Sequence, residues 1–247
     1  FPHNLRHLFA TIFYRACKDI VRLADVLGHS SIETTRIYLV TSGAEHARQL
    51  ERLTDPAEVK RLIRRHPWAT FVSPASKGLV ASHYPVLLDE DADGLCILTH
   101  FGRPDDRTHE VGKHQMLVII QGPHDYVSPS WYAPGDLVPT WNHVTAHLYG
   151  TPEVLSDDEN YAMLTRLTDH FEQHHVGGRS LAEDEVATRR AATGTVGMRI
   201  RIDRFDARAK LSQNKQADVR ANITAHLDER NPPLGDEMRR AEGLPNR

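Results

Sequence analysis

The sequence predicts an α+β fold, in which an antiparallel β-barrel is flanked by helices and preceded by a short all-α segment. Three observations lead to this prediction. Runs rich in β-branched and aromatic residues follow one another between turn signals, as in successive hairpins. Signals for helix starts lie on both sides of these runs. A segment rich in proline and aromatic residues, residues 121–150, separates the early strands from the closing strands.

Residues 1–53 make up the predicted all-α segment. Apolar residues recur at helical spacing near its start, which is typical of an amphipathic helix. Asp19 is expected to cap a second helix that Gly28 ends. Ser30 and Glu33 have the spacing of a capping box that begins a third helix. These three helices have little core of their own.

Two strings in this segment, PHNLRHLFAT and LGHSSIETTRIY, resemble the end of a tyrosine recombinase (phage integrase) catalytic domain. The resemblance implies that His3 and Arg6 form the His-x-x-Arg element, that His29 is the later active-site histidine and that Tyr38 is the nucleophile. The family pattern also requires an arginine and a lysine from upstream elements outside this chain. An incomplete, inactive recombinase remnant is therefore expected. DNA binding or recombination through the segment, and a helical arm without function, are the alternatives.

Residues 54–230 make up the predicted barrel domain. Asp55 as a cap and Pro56 at the first helical position mark its opening helix. Four strands in hairpin order are predicted at residues 68–73, 79–88, 95–100 and 116–120.

The segment after the fourth strand contains Trp131 and Trp141. Its prolines fix φ and remove backbone donors, which predicts a rigid aromatic loop before a further strand at residues 138–148. Such a loop suits a planar heteroaromatic ligand. Rings that simply close the end of the barrel are the other interpretation.

The remaining elements follow from standard signals. Ser156 and Glu159 form a capping box for one helix, and further helices are predicted at residues 181–192 and 215–229. Apolar residues alternate with charged ones within residues 194–205, which predicts one half-buried strand. The polar tail, residues 231–247, contains three prolines and is expected to be disordered.

The strings QGPHDYVSPSWY, VPTWNH, GTVGMRIRID and AKLSQNK, in this order, resemble the PaiB-type FMN-binding negative transcriptional regulators over about residues 53–229. The resemblance implies an antiparallel split β-barrel of the FMN-binding type, a homodimer with FMN at the subunit interface, and a repressor function. It places two groups of residues around the flavin. Near the phosphate and ring edge it places Ser82, His83, His100 and Arg103. Near the isoalloxazine it places Trp131, Trp141 and Asn142.

The chain departs from the regulator pattern after the third strand. It has FGRPDD where the family more typically has Ala-Arg-x-Asn-Pro. Arg103 fits that pattern and Asp105 does not. The carboxylates of Asp105 and Asp106 would oppose a phosphate if they pointed inward, because like charges repel.

The formal net charge of −3 is unevenly distributed. Residues 1–53 carry seven Lys or Arg and five Asp or Glu, a net charge of +2, which leaves −5 for the rest of the chain. The larger part therefore lacks a strong phosphate-binding field. DNA remains a partner that a local basic patch, such as Arg199, Arg201 and Arg204, could bind.

Other sequence features limit the function further. No apolar run approaches the roughly 18 residues of a membrane helix, so a cytoplasmic protein without a membrane partner is expected. Cys17 and Cys96 are far apart in sequence, which predicts free thiols in a reducing compartment. The sixteen histidines show no compact group with metal-ligand spacing, so no metal is expected.

No general acid or nucleophile stands out in the barrel domain. A protein without turnover of its own is expected, with a flavin-dependent oxidoreductase as the alternative.

Overall fold

Two antiparallel β-sheets, with helices around them, form the main body of the structure described here. The computed structural model describes residues 9–10, 12–14, 17, 19–29, 31–32, 35, 51–132 and 135–243. The larger sheet contains β1 (Glu51–Leu53), β2 (Trp68–Ala75), β3 (Gly78–Pro85), β6 (Met116–Val127), β7 (Thr140–Gly150) and β10 (Arg204–Lys210). The smaller sheet contains β4 (Leu87–Leu88), β5 (Cys96–Gly102), β8 (Pro152–Val154) and β9 (Thr195–Arg201).

The strand order confirms the predicted antiparallel arrangement. The larger sheet has the order β1-β10-β7-β6-β2-β3 and the smaller sheet the order β4-β5-β9-β8. Every strand pair is antiparallel. The inward side chains of the two sheets share one apolar core, in which Phe71 of β2 contacts Phe101 of β5 edge to face at 5.2 Å between ring centroids.

The helices of the described residues are α1 (Ile20–Leu27), α2 (Pro56–Arg65), α3 (Asp105–Thr108), α4 (Asp157–Glu172), α5 (Glu185–Ala192), α6 (Ala217–Arg230) and α7 (Pro232–Ala241). Short 3₁₀ turns span Pro129–Trp131 and Leu181–Asp184. None of these helices is long and apolar enough to cross a membrane.

Three predicted helix starts are confirmed by their cap contacts. The Asp19 carboxylate accepts a hydrogen bond from the Arg22 N–H, and the Asp55 carboxylate accepts one from the Ala57 N–H. Both halves of the capping box between Ser156 and Glu159 are present. Each contact satisfies a backbone donor that has no partner within its helix.

The boundary between the strand and the aromatic loop was predicted wrongly. β6 does not end at Ile120 but continues to Val127, so only residues 128–139 separate β6 from β7. The ladder between the two strands shifts register between Gln121 and His124, and Pro123 lies in this irregularity. A proline is tolerated there because the bulged residues need not donate to the ladder.

The single strand predicted at residues 194–205 is two strands in different sheets. β9 ends at Arg201 in the smaller sheet, and β10 begins at Arg204 in the larger one. The chain changes sheets where Ile202 N–H donates to the Leu95 carbonyl and Asp203 N–H donates to the Tyr149 carbonyl. Periodicity indicated the strand character but not the change of partner.

Residues 231–243 of the tail are ordered, where the sequence predicted disorder. Asn231 caps α7 by accepting a hydrogen bond from the Leu234 N–H, and Leu234 and Met238 are buried in the main core. Glu237 accepts two hydrogen bonds from the Arg61 guanidinium, at 2.6 and 2.7 Å. The prediction failed because it relied on polar composition, whereas a few well-spaced apolar side chains were enough to dock the helix.

Smaller differences concern the ends of elements. β1 pairs with β10, so the segment boundary predicted at residues 53/54 falls at the end of a strand of the barrel. The helix predicted at residues 215–229 begins at Ala217, after Gln216. Residues 181–192 form a 3₁₀ turn followed by α5, not one helix.

Replacing Leu234 by Ala tests whether α7 is part of the core. Its side chain is 0% exposed, so the free energy of unfolding should fall by about 2–5 kcal/mol. Leu137→Ala is the matched control, because that side chain is 77% exposed and the expected change is within about 0.5 kcal/mol. Urea unfolding followed by tryptophan fluorescence measures both variants. An equal loss of unfolding free energy in Leu234→Ala and Leu137→Ala would contradict the packing of α7 against the core.

Candidate functional site

A connected group of polar side chains lies at the inner side of the β2–β3 hairpin, next to α3. We call it the Asp105 cluster, and it comprises Ser73, Ser82, Tyr84, Asp105 and His109. Ser82 and Tyr84 are two residues apart on β3 and therefore point to the same face. Asp105 is the first residue of α3, and His109 directly follows this helix.

Asp105 is the acceptor in this cluster. One carboxylate oxygen, Oδ2, accepts hydrogen bonds from the Ser82 hydroxyl at 2.8 Å and from the Tyr84 hydroxyl at 2.9 Å. The Tyr84 oxygen in turn accepts a hydrogen bond from the Gly102 N–H at 3.1 Å. Two donors from β3 therefore converge on one anionic group.

The direction of the remaining hydrogen bonds follows from Asp105. Because Ser82 donates its single proton to Asp105, its oxygen accepts from His109 Nε2 at 3.0 Å. The other ring nitrogen of His109, Nδ1, lies 2.8 Å from the Ser73 hydroxyl and accepts its proton when the ring is neutral. With its proton at Nε2, a neutral His109 ring satisfies both contacts. Burial lowers the pKa of His109, against a smaller opposing effect of Asp105, which agrees with this state.

Tyr84 is held as a hydrogen-bond donor. Burial raises the pKa of Tyr84, and its hydrogen bond to Asp105 raises it further. The ring stacks on Phe101 with centroids 4.6 Å apart and meets the edge of His100 at 5.7 Å. These contacts fix the phenol, so its hydroxyl stays directed at the carboxylate.

Arg103 is also engaged by the chain itself. Its guanidinium donates to the Thr193 carbonyl at 3.2 Å and to Asp106 Oδ2 at 3.1 Å. The neighbouring His100 is different: its Nδ1 atom is buried and has no hydrogen-bond partner among the described residues. Burial lowers the pKa of His100 and favours the neutral ring.

The residues assigned to the phosphate end by sequence resemblance are partly brought together. Ser82, His100 and Arg103 lie on or beside β3 and β5, around the Asp105 cluster. His83 lies on the opposite face of β3, because neighbouring residues of a strand alternate between faces. The sequence pointed to Asp105 as a departure from the family pattern. It gave no signal for His109 or Ser73: in the folded chain His109 contacts both Ser82 and Ser73.

The residues assigned to the isoalloxazine are not brought to one place. Trp131 is buried and stacks on His226, with ring centroids 4.8 Å apart. Asn142 is buried and its side-chain oxygen accepts a hydrogen bond from the Ser212 hydroxyl at 3.0 Å. Trp141 lies on the opposite face of β7 and is 55% exposed. A contact between Trp141 and a flavin ring stays a prediction.

Trp141 belongs to the outer sheet face, by which we mean the side of the larger sheet that points away from the core. Its residues are exposed or half-buried and include several large apolar side chains. Across β6 and β7, Tyr126 pairs with Trp141 and Ile119 pairs with His147. The face comprises Trp68, Thr70, Val72, Leu79, Ala81, His83, Leu117, Ile119, Gln121, His124, Tyr126, Trp141, His143, Thr145, His147, Tyr149, Asp206, Arg208 and Lys210.

Lys210 and His143 add polar character to one end of the outer sheet face. They are paired across β10 and β7, and the Lys210 ammonium donates to the Thr140 hydroxyl at 2.5 Å. Burial lowers the pKa of Lys210. Burial also lowers the pKa of His143, and the neighbouring Lys210 charge adds to this effect.

Of the four recombinase-like residues, His29 lies among the described residues. His29 Nδ1 lies 3.0 Å from the Thr35 hydroxyl. His3, Arg6 and Tyr38 lie outside the described residues.

Cys17 and Cys96 are both free. Within the part of the chain that the structure describes, no group of three or more His, Cys, Asp or Glu could hold a metal ion.

Comparison with known proteins identifies two matching regions. Residues 46–204 match the family described as "Putative FMN-binding domain", and residues 1–44 match the phage integrase family. The chain is 30% identical over 196 residues to "Protease synthase and sporulation protein PAI 2" of Bacillus subtilis, covering 76% of this chain and 91% of that protein. It is 53% identical over 36 residues to tyrosine recombinase XerH of Campylobacter jejuni, of which it spans 10%.

Two solved structures share the fold. The FAD and heme binding protein from Mycobacterium smegmatis has a TM-score of 0.51 at 20% identity, over 70% of this chain and 79% of that one. The flavocytochrome Anf3 from Azotobacter vinelandii has a TM-score of 0.51 at 10% identity, over 69% of this chain and 74% of that one. The antiparallel split barrel and the two resemblances predicted from the sequence are thereby confirmed.

His109→Gln tests the neutral histidine. Burial holds the pKa of His109 below its usual 6.5, so the unfolded chain binds more protons below that pH and stability should fall on acidification. The variant cannot keep both ring hydrogen bonds and should lose about 1–3 kcal/mol at pH 7.5. It should also lose less additional stability than the wild type between pH 7.5 and 5.5. Chemical unfolding at each pH measures this.

His174→Gln is the control, because His174 is exposed and outside the cluster. It should match the wild type at every pH. A His109→Gln profile as steep as that of the wild type would contradict the assignment.

Proposed function

The chain belongs to the FMN-binding domain family, and from this premise we propose that it is a flavin-binding transcriptional regulator that acts as a homodimer and represses its targets. The observation that carries the proposal is the match of residues 46–204 to this family on a split-barrel fold. The relative in Bacillus subtilis supports a regulatory role, because its name refers to protease synthesis and sporulation.

The outer sheet face supports the homodimer. Trp141 is 55% and Leu79 is 79% exposed on this face, and several other large apolar side chains lie between them. A broad exposed surface with aromatic residues is typical of protein contacts. A two-fold axis through the sheet would pair this face with itself, which is the commonest symmetry of homodimers.

The same face supports flavin binding at the subunit interface. Trp141, Tyr126 and His124 form an aromatic group at one end of the face, with Trp141 in edge contact with Tyr126 at 6.2 Å. Aromatic side chains of this kind stack on planar heteroaromatic rings, and Lys210 beside His143 supplies a donor for polar ring atoms. A bound flavin supplies redox chemistry through its ring.

The phosphate of FMN fits this chain less well than the ring. His100 has a buried, unpaired Nδ1 atom that suits a polar ligand group. Ser82 and Tyr84, however, already donate to Asp105, and Arg103 already donates to Asp106. Of the donors that the sequence resemblance assigns to the phosphate, Ser82 and Arg103 are therefore already paired with carboxylates of the chain.

A second proposal concerns DNA. The similarity of residues 1–44 to the phage integrase family supports DNA contacts through this segment. The positive net charge of residues 1–53 has the sign that phosphate contacts require. The chain spans only 10% of the recombinase that it resembles, so the proposal is limited to DNA binding without strand cleavage.

An absorption spectrum of the purified protein tests the flavin proposal. We expect flavin bands between about 350 and 500 nm, either directly or after incubation with flavin and removal of the excess. A folded protein with no such bands after incubation would contradict the proposed function.

Ile119→Asp tests the dimer. Ile119 lies near the middle of the outer sheet face, so a buried carboxylate there should convert a dimer to a monomer and reduce flavin binding at the interface. Light scattering coupled to size-exclusion chromatography measures the mass. Val176→Asp is the control, because Val176 is fully exposed in the loop after α4. An unchanged mass for Ile119→Asp would contradict a dimer through this face.

DNA binding is tested by comparing the full chain with one that begins at Glu51, which retains β1. Binding to random-sequence duplex DNA should be weaker for the shorter chain, and binding by the full chain should weaken as salt increases. Fluorescence anisotropy measures both, with circular dichroism as a check of folding. Equal affinities would remove any role of residues 1–50.

A further inference from the structure

The Asp105 cluster has the chemistry of an anion-binding site whose anion is supplied by the chain. Two hydroxyl groups, from Ser82 and Tyr84, converge on one oxygen of Asp105. The guanidinium of Arg103, on the neighbouring segment, is paired with Asp106. Hydroxyl and guanidinium donors are the groups that proteins use to hold a phosphate.

The charge balance around these donors is unfavourable for a further anion. Among the groups that make these hydrogen bonds, Arg103 contributes +1 and the two carboxylates contribute −2, so their sum is −1. His109 adds no charge, because it is buried and accepts a hydrogen bond at Nδ1. A phosphate monoester carries about −1.5 to −2 at neutral pH and would meet like charge here. It would also have to displace hydrogen bonds that are already formed.

A neutral hydroxyl meets no such obstacle. Both contacts of Asp105, with the Ser82 hydroxyl and with the Tyr84 hydroxyl, are made by its Oδ2 atom. Its other oxygen, Oδ1, has lone pairs that can accept a hydrogen bond from an alcohol. A ligand chain that ends in a hydroxyl can therefore bind where one that ends in a phosphate is repelled.

We propose that Asp105 makes this protein select an unphosphorylated flavin, riboflavin, over FMN. The inference rests on the proposed flavin-binding function and on the sequence resemblance that directs the end of the ribityl chain towards Ser82, His100 and Arg103. It concerns this end of the ligand alone. The Asp105 cluster and Trp141 lie on opposite faces of the larger sheet, so the inference does not use a contact between the flavin ring and Trp141. Asp105 acts as a specificity-determining residue: it holds the hydroxyl donors with its own carboxylate and accepts the terminal hydroxyl of riboflavin.

Asp105→Asn is the informative variant. The amide oxygen has two lone pairs and can accept from both Ser82 and Tyr84 in place of Oδ2, so the hydrogen-bonded cluster is retained. The amide nitrogen replaces Oδ1, which changes an acceptor into a donor and removes one negative charge. Asp93→Asn is the matched control, since Asp93 is exposed in the turn before β5 and the change of net charge is the same.

The experiment titrates the wild type and both variants with riboflavin and with FMN and measures the quenching of flavin fluorescence. The wild type and Asp93→Asn should bind riboflavin at least about tenfold more tightly than they bind FMN. Asp105→Asn should bind FMN about tenfold more tightly than the wild type does. Raising the salt concentration should strengthen FMN binding to the wild type by screening the repulsion, with little effect on riboflavin.

The outcomes separate this inference from the proposed function. Preference of the wild type for FMN, unchanged in Asp105→Asn, would overturn the inference and leave flavin binding intact. Absence of binding for both flavins in the folded wild type would overturn both. The salt dependence of the wild type decides the matter even if Asp105→Asn does not fold, because repulsion predicts FMN binding that strengthens with salt and attraction predicts the reverse.

Discussion

The close approach of the chain to itself at Gly150 is the constraint on which the barrel depends. Gly150 ends β7 at the place where the chain passes from β9 to β10, and a Cβ atom there would overlap the Arg201 carbonyl and lie 2.8 Å from Ile200 Cγ2. Only glycine permits this approach. Because the two sheets meet at this crossing, their inner faces can enclose one core, and no described helix covers the outer face of the larger sheet.

This arrangement decides which side chains can act together. Trp141 and Asn142 are neighbours in sequence, but the strand directs Trp141 to the outer sheet face and Asn142 into the core. Ser73 and Ser82 are nine residues apart, yet the hairpin places both hydroxyls within 3.0 Å of one histidine ring. The strands therefore separate an aromatic surface outside the barrel from a polar cluster at its inner edge.

The sequence was sufficient for the elements with strong local signals. The caps Asp55 and Ser156 begin helices as predicted, because the contacts that define a cap lie within three residues. Features that depend on distant partners were not predictable. The change of sheet after Arg201, the docking of α7 through Leu234, and the role of His109 each require groups far apart in the chain. Among the site residues, Asp105 was found because it departs from a family pattern.

Asp105 shows how one residue can serve the fold and limit the ligand at the same time. Ser82 and Tyr84 are partly buried and need an acceptor, since an unpaired buried hydroxyl costs about 1–3 kcal/mol. A carboxylate meets this need permanently, without any ligand. An amide would meet it equally well, because a carbonyl oxygen also accepts two hydrogen bonds. The hydrogen bonds of the cluster therefore do not require the negative charge. The charge instead repels an anionic ligand group that approaches the cluster. Residue 105 therefore acts on stability through its acceptor oxygen and on the choice of ligand through its charge.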